Sequence, residues 1–347
     1  MSLPPVATAP APAPAPDVSI VIKALNEERN IERTLRAAVA AVEGLAAEVI
    51  LADSLSSDRT VEIARQFPVT VVQLKNSAER CCGIGAQLGY QHAKGRYVLV
   101  LDGDMEVAAD WLRAAIARLD AEPRLAGVGG LVSDVNLDNI EFRARQLRRP
   151  ANLRAGTVAR LDGGGLYRRE AIEAVGYLTH RSLHACEELE LGLRLAAAGW
   201  HLERLDRVSI HHHGHTVDMW TLMRRRWRSR YVNGGGELLR SSLGRPWFWP
   251  TLGSLRFRLF VVGWWVTLLL LAASGGFDRR AWAAAVVVAL LPPAAMVWRK
   301  RSLAIGLYSV FSWCVDAAGL FRGFFARIAD PRSRIDSRVL QGPGVTP

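Results

Sequence analysis

Cysteine is scarce: Cys81, Cys82, Cys186 and Cys314 are the only four in 347 residues. Their spacing fits neither a zinc knuckle nor a disulfide framework, and a reducing compartment suits such a chain. No Gly-x-Gly-x-x-Gly follows the first apolar run, which argues against a dinucleotide-binding domain. No basic segment leading into an apolar core stands at the start. Residues 1–16 are mostly Ala and Pro, an extended lead expected to be disordered rather than a signal peptide. Acidic residues are in deficit, 33 against 44 Lys and Arg, a net charge of +11 that calls for an anionic partner. Arginines gather at 143–160, at 224–230 and again after 322, without a nucleic-acid motif among them. The last two clusters flank apolar stretches, so the expected partner is a membrane surface, with no nucleic acid.

Half of the residues are hydrophobic and the mean hydropathy is +0.10, with the apolar excess concentrated after Phe257. Three segments, 257–276, 281–298 and 302–326, carry it; about twenty apolar residues span a bilayer. Arg245-Pro246-Trp247-Phe248-Trp249-Pro250 reads as an interfacial connection, Gly275 to Arg280 as a tight link, and Pro292-Pro293 as a kink. Asp316 and Arg322 interrupt the third segment. If the first two segments span, Arg299-Lys300-Arg301 lies on the side of the N-terminal domain, as the positive-inside rule requires. A third span would carry Arg327, Arg332, Arg334 and Arg338 to the other side, so either that segment lies in the interface or re-enters, which is the expectation here, or the rule fails for it.

From Asp17 the pattern alternates. Strands are predicted at 18–22, 49–52, 69–74 and 97–101. A helix opens at Asn26-Glu27-Glu28 with apolar Ile31, Leu35, Val39 and Val42, and others are predicted at 60–66 (Asp58 as cap), 83–93 and 108–119. A Gly-rich strand at 127–133, a basic helix at 139–149, a loop and strand at 163–167 and helices at 169–175, 187–198 and 216–231 complete the domain. Strands alternating with helices imply a mainly parallel, doubly wound α/β sheet, and ligands of such sheets sit at the carboxyl ends of the strands. The run Tyr97 to Leu101 ends at Asp102-Gly103-Asp104. Two carboxylates one residue apart can share a divalent cation and the diphosphate it carries; a plain turn after a strand has the same composition.

Four stretches stand in order: Ser19-Ile20-Val21-Ile22 running into Asn26-Glu27; Val49 to Thr60 with Asp53 and Asp58; Asp102-Gly103-Asp104; and Glu187-Glu188-Leu189-Glu190-Leu191. Together they resemble the inverting family-two glycosyltransferases of GT-A fold, over about 17–235. The resemblance implies a lead at 1–16, a GT-A domain at 17–235, an interfacial connection at 236–256, a membrane region at 257–326 and a basic tail at 327–347. It implies that Asn26, Glu27, Asp53 and Asp102 hold the donor nucleotide, and that Asp104 with Asp102 binds Mn²⁺ or Mg²⁺, joined by His213 or His215. Glu188, or Glu187 in its place, would be the general base. The family usually has Glu-Asp here, so the carboxylate is one methylene longer. Arg226-Trp227 is similar to the QxxRW motif of processive members, with Met223 in place of the Gln; Arg226 would meet the diphosphate and Trp227 the acceptor, although the same helix also suits a lipid interface. Gly164 would line the acceptor side. Lys23 stands where the family often has proline, and Ser54-Leu55 where Asp-Gly is common.

The expected activity is transfer of a sugar from a nucleotide-diphosphate donor, UDP favoured, to a lipid-linked or glycan acceptor. The enzyme would be a multi-pass protein of the inner or plasma membrane, in contact with membrane lipids, with its catalytic domain cytoplasmic. A processive polysaccharide synthase and a catalytically silent scaffold of the same fold are the alternatives.

Overall fold

A computed structural model describes residues 16–135, 151–214, 217–275 and 279–343; the expected basic helix at 139–149, His215 and nearly all of the 1–16 lead lie outside them. The first half of the domain follows the alternation: β1 (Val18–Ala24), α1 (Ile31–Ala41), β2 (Ala47–Asp53), α2 (Thr60–Ala64), β3 (Thr70–Leu74), α3 (Cys82–Tyr90) and β4 (Tyr97–Asp102). Then come β5 (Met105–Val107), α4 (Ala109–Ala121), β6 (Leu125–Asp134), β7 (Gly156–Val158), β8 (Gly165–Arg168), α5 (Arg169–Val175), α6 (Glu187–Ala197) and β9 (His201–His212). The remaining elements are α7 (Met219–Arg228), α8 (Gly234–Ser241), α9 (Phe248–Gly275), α10 (Arg279–Lys300), α11 (Leu303–Phe324) and β10 (Ser337–Gln341).

The strands form one sheet in the order β10-β3-β2-β1-β4-β8-β6-β9-β5, with β7 on β9. Strands β1 to β4 are mutually parallel where they pair, whereas β8 runs antiparallel to both β4 and β6. The sheet is therefore mixed, parallel in its first half. Val18, Ile20, Val21 and Ile22 of β1 are all fully buried, the mark of a central strand covered on both faces. Ile20 and Ile22 pack under α1 and α4 with Leu35, Trp111 and Leu112, and Val21 packs on the other face with Ile84 and Leu88 of α3. Helix α1 starts at Ile31 rather than at 26–28, because Asn26 turns left-handed (φ 59°) and residues 26–28 bond across to the 56–60 loop instead.

Helices α9, α10 and α11 are long and apolar enough to cross a membrane by length and composition. Helix α9 begins at Phe248, inside the expected connection at 236–256, and α10 continues through Pro292 and Pro293. The third helix differs from the other two: 28% of its most apolar stretch is buried in the protein, against 6% for each of the others. It lies along the domain from end to end. Near its start, Tyr308 Oη donates to the Met219 carbonyl (2.9 Å) and meets the Trp220 ring edge-on. Near its end, Arg240 Nη1 donates to the Phe324 carbonyl (3.2 Å). Between them, a Cβ added at Gly323 would overlap the Asn233 carbonyl oxygen and one at Gly236 the Leu320 carbonyl oxygen, so helix backbones touch here. Gly323→Val forces α11 off α8 and is expected to cost about 1–3 kcal/mol, read as a lowered Tm in detergent.

The chain after α11 is not simply a basic tail. It returns to the sheet and adds β10 antiparallel to β3 at the edge. Ile335 is buried beneath it, and Gln91 exchanges two hydrogen bonds with the Ile335 backbone. Both ends of the three-helix region are thus tied to the same α/β domain.

Candidate active site

The strand register brings the acidic residues to one edge. Lys23 of β1 pairs with Asp102 of β4, and Ala24 with Asp53 of β2, so all stand at carboxyl ends. Gly103 is required between the two aspartates: a Cβ there would stand 2.8 Å from Glu27 Cγ, and its carbonyl accepts from buried Thr34 Oγ1 (2.9 Å). Glu27 lies over this turn. Burial, and then repulsion from Asp104, raise its carboxyl to about 7.

Asp104 is the most exacting group. Its Oδ1 is buried and has no hydrogen-bond partner among the described residues. Its Oδ2 lies 3.5 Å from His212 Nε2, and His212 Nδ1 lies 2.8 Å from Asp134 Oδ1. With Nδ1–H given to Asp134, the Nε2 lone pair turns toward Asp104. A carboxylate oxygen without a hydrogen-bond partner among the described residues, beside acidic Glu27 and an imidazole backed by a second carboxylate, is chemistry that suits a cation. The donors fit Mn²⁺, which accepts imidazole, more readily than Mg²⁺. Among the described residues no group of three or more His, Cys, Asp or Glu forms a cage on its own. Hard divalent ions commonly complete such a shell with substrate phosphates and water.

Of the described histidines, His212 and not the expected His213 stands beside Asp104. His213 turns away: its Nε2 meets Glu106, its Nδ1 accepts from Arg33 Nη1 (3.1 Å), and only its backbone N–H reaches the Asp104 carbonyl (2.9 Å). The reason is parity. β9 extends to His212, which pairs with Met105 on one side and Asp134 on the other, and successive side chains alternate faces.

Glu187 and Glu188 open α6. Cys186 before them holds a left-handed backbone (φ 69°), strained for a non-glycine residue, and this aims the two acids at β1 and β4. Lys23 Nζ stands 3.0 Å from both Asp102 Oδ1 and Glu187 Oε1. Burial pulls its ammonium down, but Asp102, Glu187 and Glu188 together drive it well above its usual value. Lys23 therefore stays charged and bridges the Asp102-Gly103-Asp104 turn to α6. Glu188 is not in that ion bridge. Burial, then Glu187, raise its carboxyl to about 8, with Lys23 opposing. Glu188, Asp102, Lys23, Thr179 and Gly164 line one small cavity of about 20 Å³, room for a single water. His184 fixes the loop before α6 to α8, through its N–H and Nδ1 to buried Glu237 (2.9 and 2.8 Å).

Other expected contacts fall differently. Asp53 is wholly buried and is closed off from direct contact. It accepts from the Ser56 N–H (3.1 Å) and Gln73 Nε2 (2.7 Å), shaping the 54–57 loop from beneath. Asn26 Oδ1 accepts from the Ser57 N–H (2.8 Å) and ties two loops together. Arg226 stacks on Tyr231 (5.5 Å), while neighbouring Arg225 lies near enough to Glu27 to lower its carboxyl. Trp227 does not line the Glu188 cavity. It faces a groove of about 610 Å³ between α7, α9 and α11, with Trp220, Met223, Arg224, Trp265 and Phe311. Lys23, His212, Asp134 and Gln73 were not singled out as site residues by the motifs. The one signal available was that Lys23 departs from the family's usual residue.

The mixed sheet, parallel in its first half, has the GT-A fold. Residues 19–176 match the family Glycosyl transferase family 2. It is 34% identical over 139 residues to the succinoglycan biosynthesis protein ExoO of Rhizobium meliloti, covering 38% of this chain and 36% of that one. It is 33% identical over 97 residues to the undecaprenyl-phosphate 4-deoxy-4-formamido-L-arabinose transferase of Edwardsiella ictaluri, covering 26% and 29%. The matched stretches span about a third of the length of these relatives. In fold it is similar to the mannosyltransferase PcManGT from Pyrobaculum calidifontis, solved in complex with GDP-Man and Mn2+, with a TM-score of 0.59, 21% identity, and coverage of 93% of this chain and 91% of that one.

Proposed function

We propose that the protein is a membrane-attached inverting glycosyltransferase that moves a sugar from a nucleotide-diphosphate donor, UDP favoured, to a lipid-linked or glycan acceptor. The observation that carries this reading is the Asp104 carboxylate, its buried Oδ1 without a hydrogen-bond partner among the described residues and its Oδ2 3.5 Å from His212 Nε2, at the carboxyl edge of the sheet against which α6 sets Glu188. Asp104 and His212, with Asp102, would hold Mn²⁺ or Mg²⁺, which when bound neutralises charge on the departing diphosphate. The 54–57 loop, ordered from below by Asp53, frames the nucleoside, and Arg225 and Arg226 on α7 meet the phosphates. Glu188 as carboxylate takes the proton of the acceptor hydroxyl. That oxygen bonds to the anomeric carbon while the carbon–oxygen bond to the diphosphate breaks, and the electron pair leaves with the nucleoside diphosphate. A single displacement inverts the centre. Lys23 bridges Asp102 and Glu187 at 3.0 Å, and Glu188, outside that bridge, is the carboxylate left to take a proton.

The acceptor reading rests on architecture. The 610 Å³ groove is apolar, opens beside α9 and α11, and carries Arg224 at its rim, matching an apolar chain with an anionic head. In this reading α9 and α10 cross the bilayer as a hairpin, α11 lies in the interface, and the α/β domain is cytoplasmic.

The test is nucleotide release by the full chain in lipid nanodiscs, over a panel of UDP- and GDP-sugars with Mn²⁺ or Mg²⁺, with and without membrane lipid extract. One donor should respond, with release raised by the extract. No release from any donor supports the scaffold reading.

The pH dependence follows from Glu188. A base raised to about 8 is active once deprotonated, so kcat/KM should climb with pH and level off above about 8 rather than near the ordinary 4.5. Lys23→Met removes the cation that opposes this rise and should move the limb further alkaline. A limb below pH 6 in the parent protein would contradict the assignment.

A further inference from the structure

The loop that frames the nucleoside is held from the far edge of the sheet. Asp53 accepts from the Ser56 N–H on one side and from Gln73 Nε2 of β3 on the other, at 2.7 Å. A carboxamide can turn either end toward a carboxylate, but only its nitrogen can donate. Arg338 of β10 settles which end. It stands directly opposite Gln73 in the β10–β3 register. Its Nε donates to Gln73 Oε1 at 2.8 Å, and its Nη2 donates to the same oxygen. Guanidinium offers donors and no acceptor, so the amide oxygen must face Arg338 and the amide nitrogen must face Asp53. Gln73 is buried, which makes the wrong orientation costly: an amide oxygen against a fully buried carboxylate sets two acceptors face to face with no donor between them. The rest of the segment is seated independently of Arg338. Gln91 exchanges two bonds with Ile335, and Gln341 Nε2 donates to the Phe67 and Val69 carbonyls (2.8 and 3.0 Å).

We infer that Arg338 is a positioning residue of the donor site: through Gln73 and Asp53 it sets the 54–57 loop, so the nucleoside pocket is completed by the chain returning from the apolar helices. This rests on the reading above that the 54–57 loop frames the donor nucleoside. β10 follows α11 after a short connection, and the segment that follows the membrane-facing helices thereby reaches the donor side of the sheet.

The experiment titrates UDP, and separately GDP, with Mn²⁺ into the detergent-purified full chain by calorimetry, alongside steady-state turnover at varied donor. Arg338→Ala is expected to weaken binding of the preferred nucleotide roughly 5–20-fold, with kcat at saturating donor within about twofold and Tm unchanged. Arg338→Lys, which still offers a cationic donor to Gln73 Oε1, should recover most of the loss. Gln73→Met leaves β10 untouched and should weaken binding to a similar degree; adding Arg338→Ala to it should then cost nothing further. Additive losses in the double variant, or Arg338→Ala binding like the parent, would overturn the inference. Asp53→Ala separates the two readings. If Asp53→Ala weakens binding while Arg338→Ala does not, only the role of Arg338 falls; if Asp53→Ala also binds like the parent, the loop is not the nucleoside site and both fall.

Discussion

Glu188→Gln should abolish transfer while leaving donor binding intact. The substitution keeps the shape and removes the proposed base for the acceptor proton, so a fall of about 10²–10⁴-fold in kcat is expected. The neighbouring acid cannot take over, because Glu187 is committed to Lys23 at 3.0 Å. Glu187→Gln should therefore act differently. It loosens the bridge between Lys23 and α6 and eases the repulsion that raises Glu188, shifting the pH limb toward acid more than it lowers the plateau rate. Comparing the two variants by kcat and by nucleotide Kd assigns the base. A Glu188→Gln enzyme within a few-fold of the parent, with Glu187→Gln inactive, would reverse the assignment.

The second large effect is on the cation site. Asp104→Ala removes the buried oxygen that lacks a partner, and Mn²⁺-dependent nucleotide binding should drop by at least about 10²-fold, more than the ~10–100-fold typical of losing an outer partner. The histidines give a contrast within one strand end. His212→Ala should approach the Asp104→Ala loss, Asp134→Asn should fall in the ~10–100-fold range as the partner of His212 Nδ1, and His213→Ala should leave metal dependence unchanged. Equal losses at His212 and His213 would contradict the geometry.

Much of this architecture is legible in the sequence because it is local. The apolar run of β4 ending in Asp102-Gly103-Asp104, the periodicity of α1 and the paired acids opening α6 each declare themselves within a dozen residues. What the sequence does not show depends on pairings between distant strands. Which histidine faces Asp104 depends on how far β9 extends and on its register with β5 and β6. Lys23 and Glu187 are 164 positions apart, and only the sheet brings them together. The Arg-rich segment after α11 resembles an exposed tail because Arg338 is itself exposed; its function is carried by one edge-strand register. Trp227 belongs to a helix whose amphipathic character serves an interface as well as a sugar site, and only the position of α11 distinguishes the two.

The most direct measurement follows the sugar itself. The full chain in nanodiscs is given its responsive donor with radiolabel in the sugar, Mn²⁺ and membrane lipid extract, and the label is partitioned between organic and aqueous phases. Label should enter the organic phase with the parent protein and stay out of it with Glu188→Gln and with Asp104→Ala. Label that builds up only as water-soluble polymer, or that reaches the lipid phase equally in both variants, would contradict it.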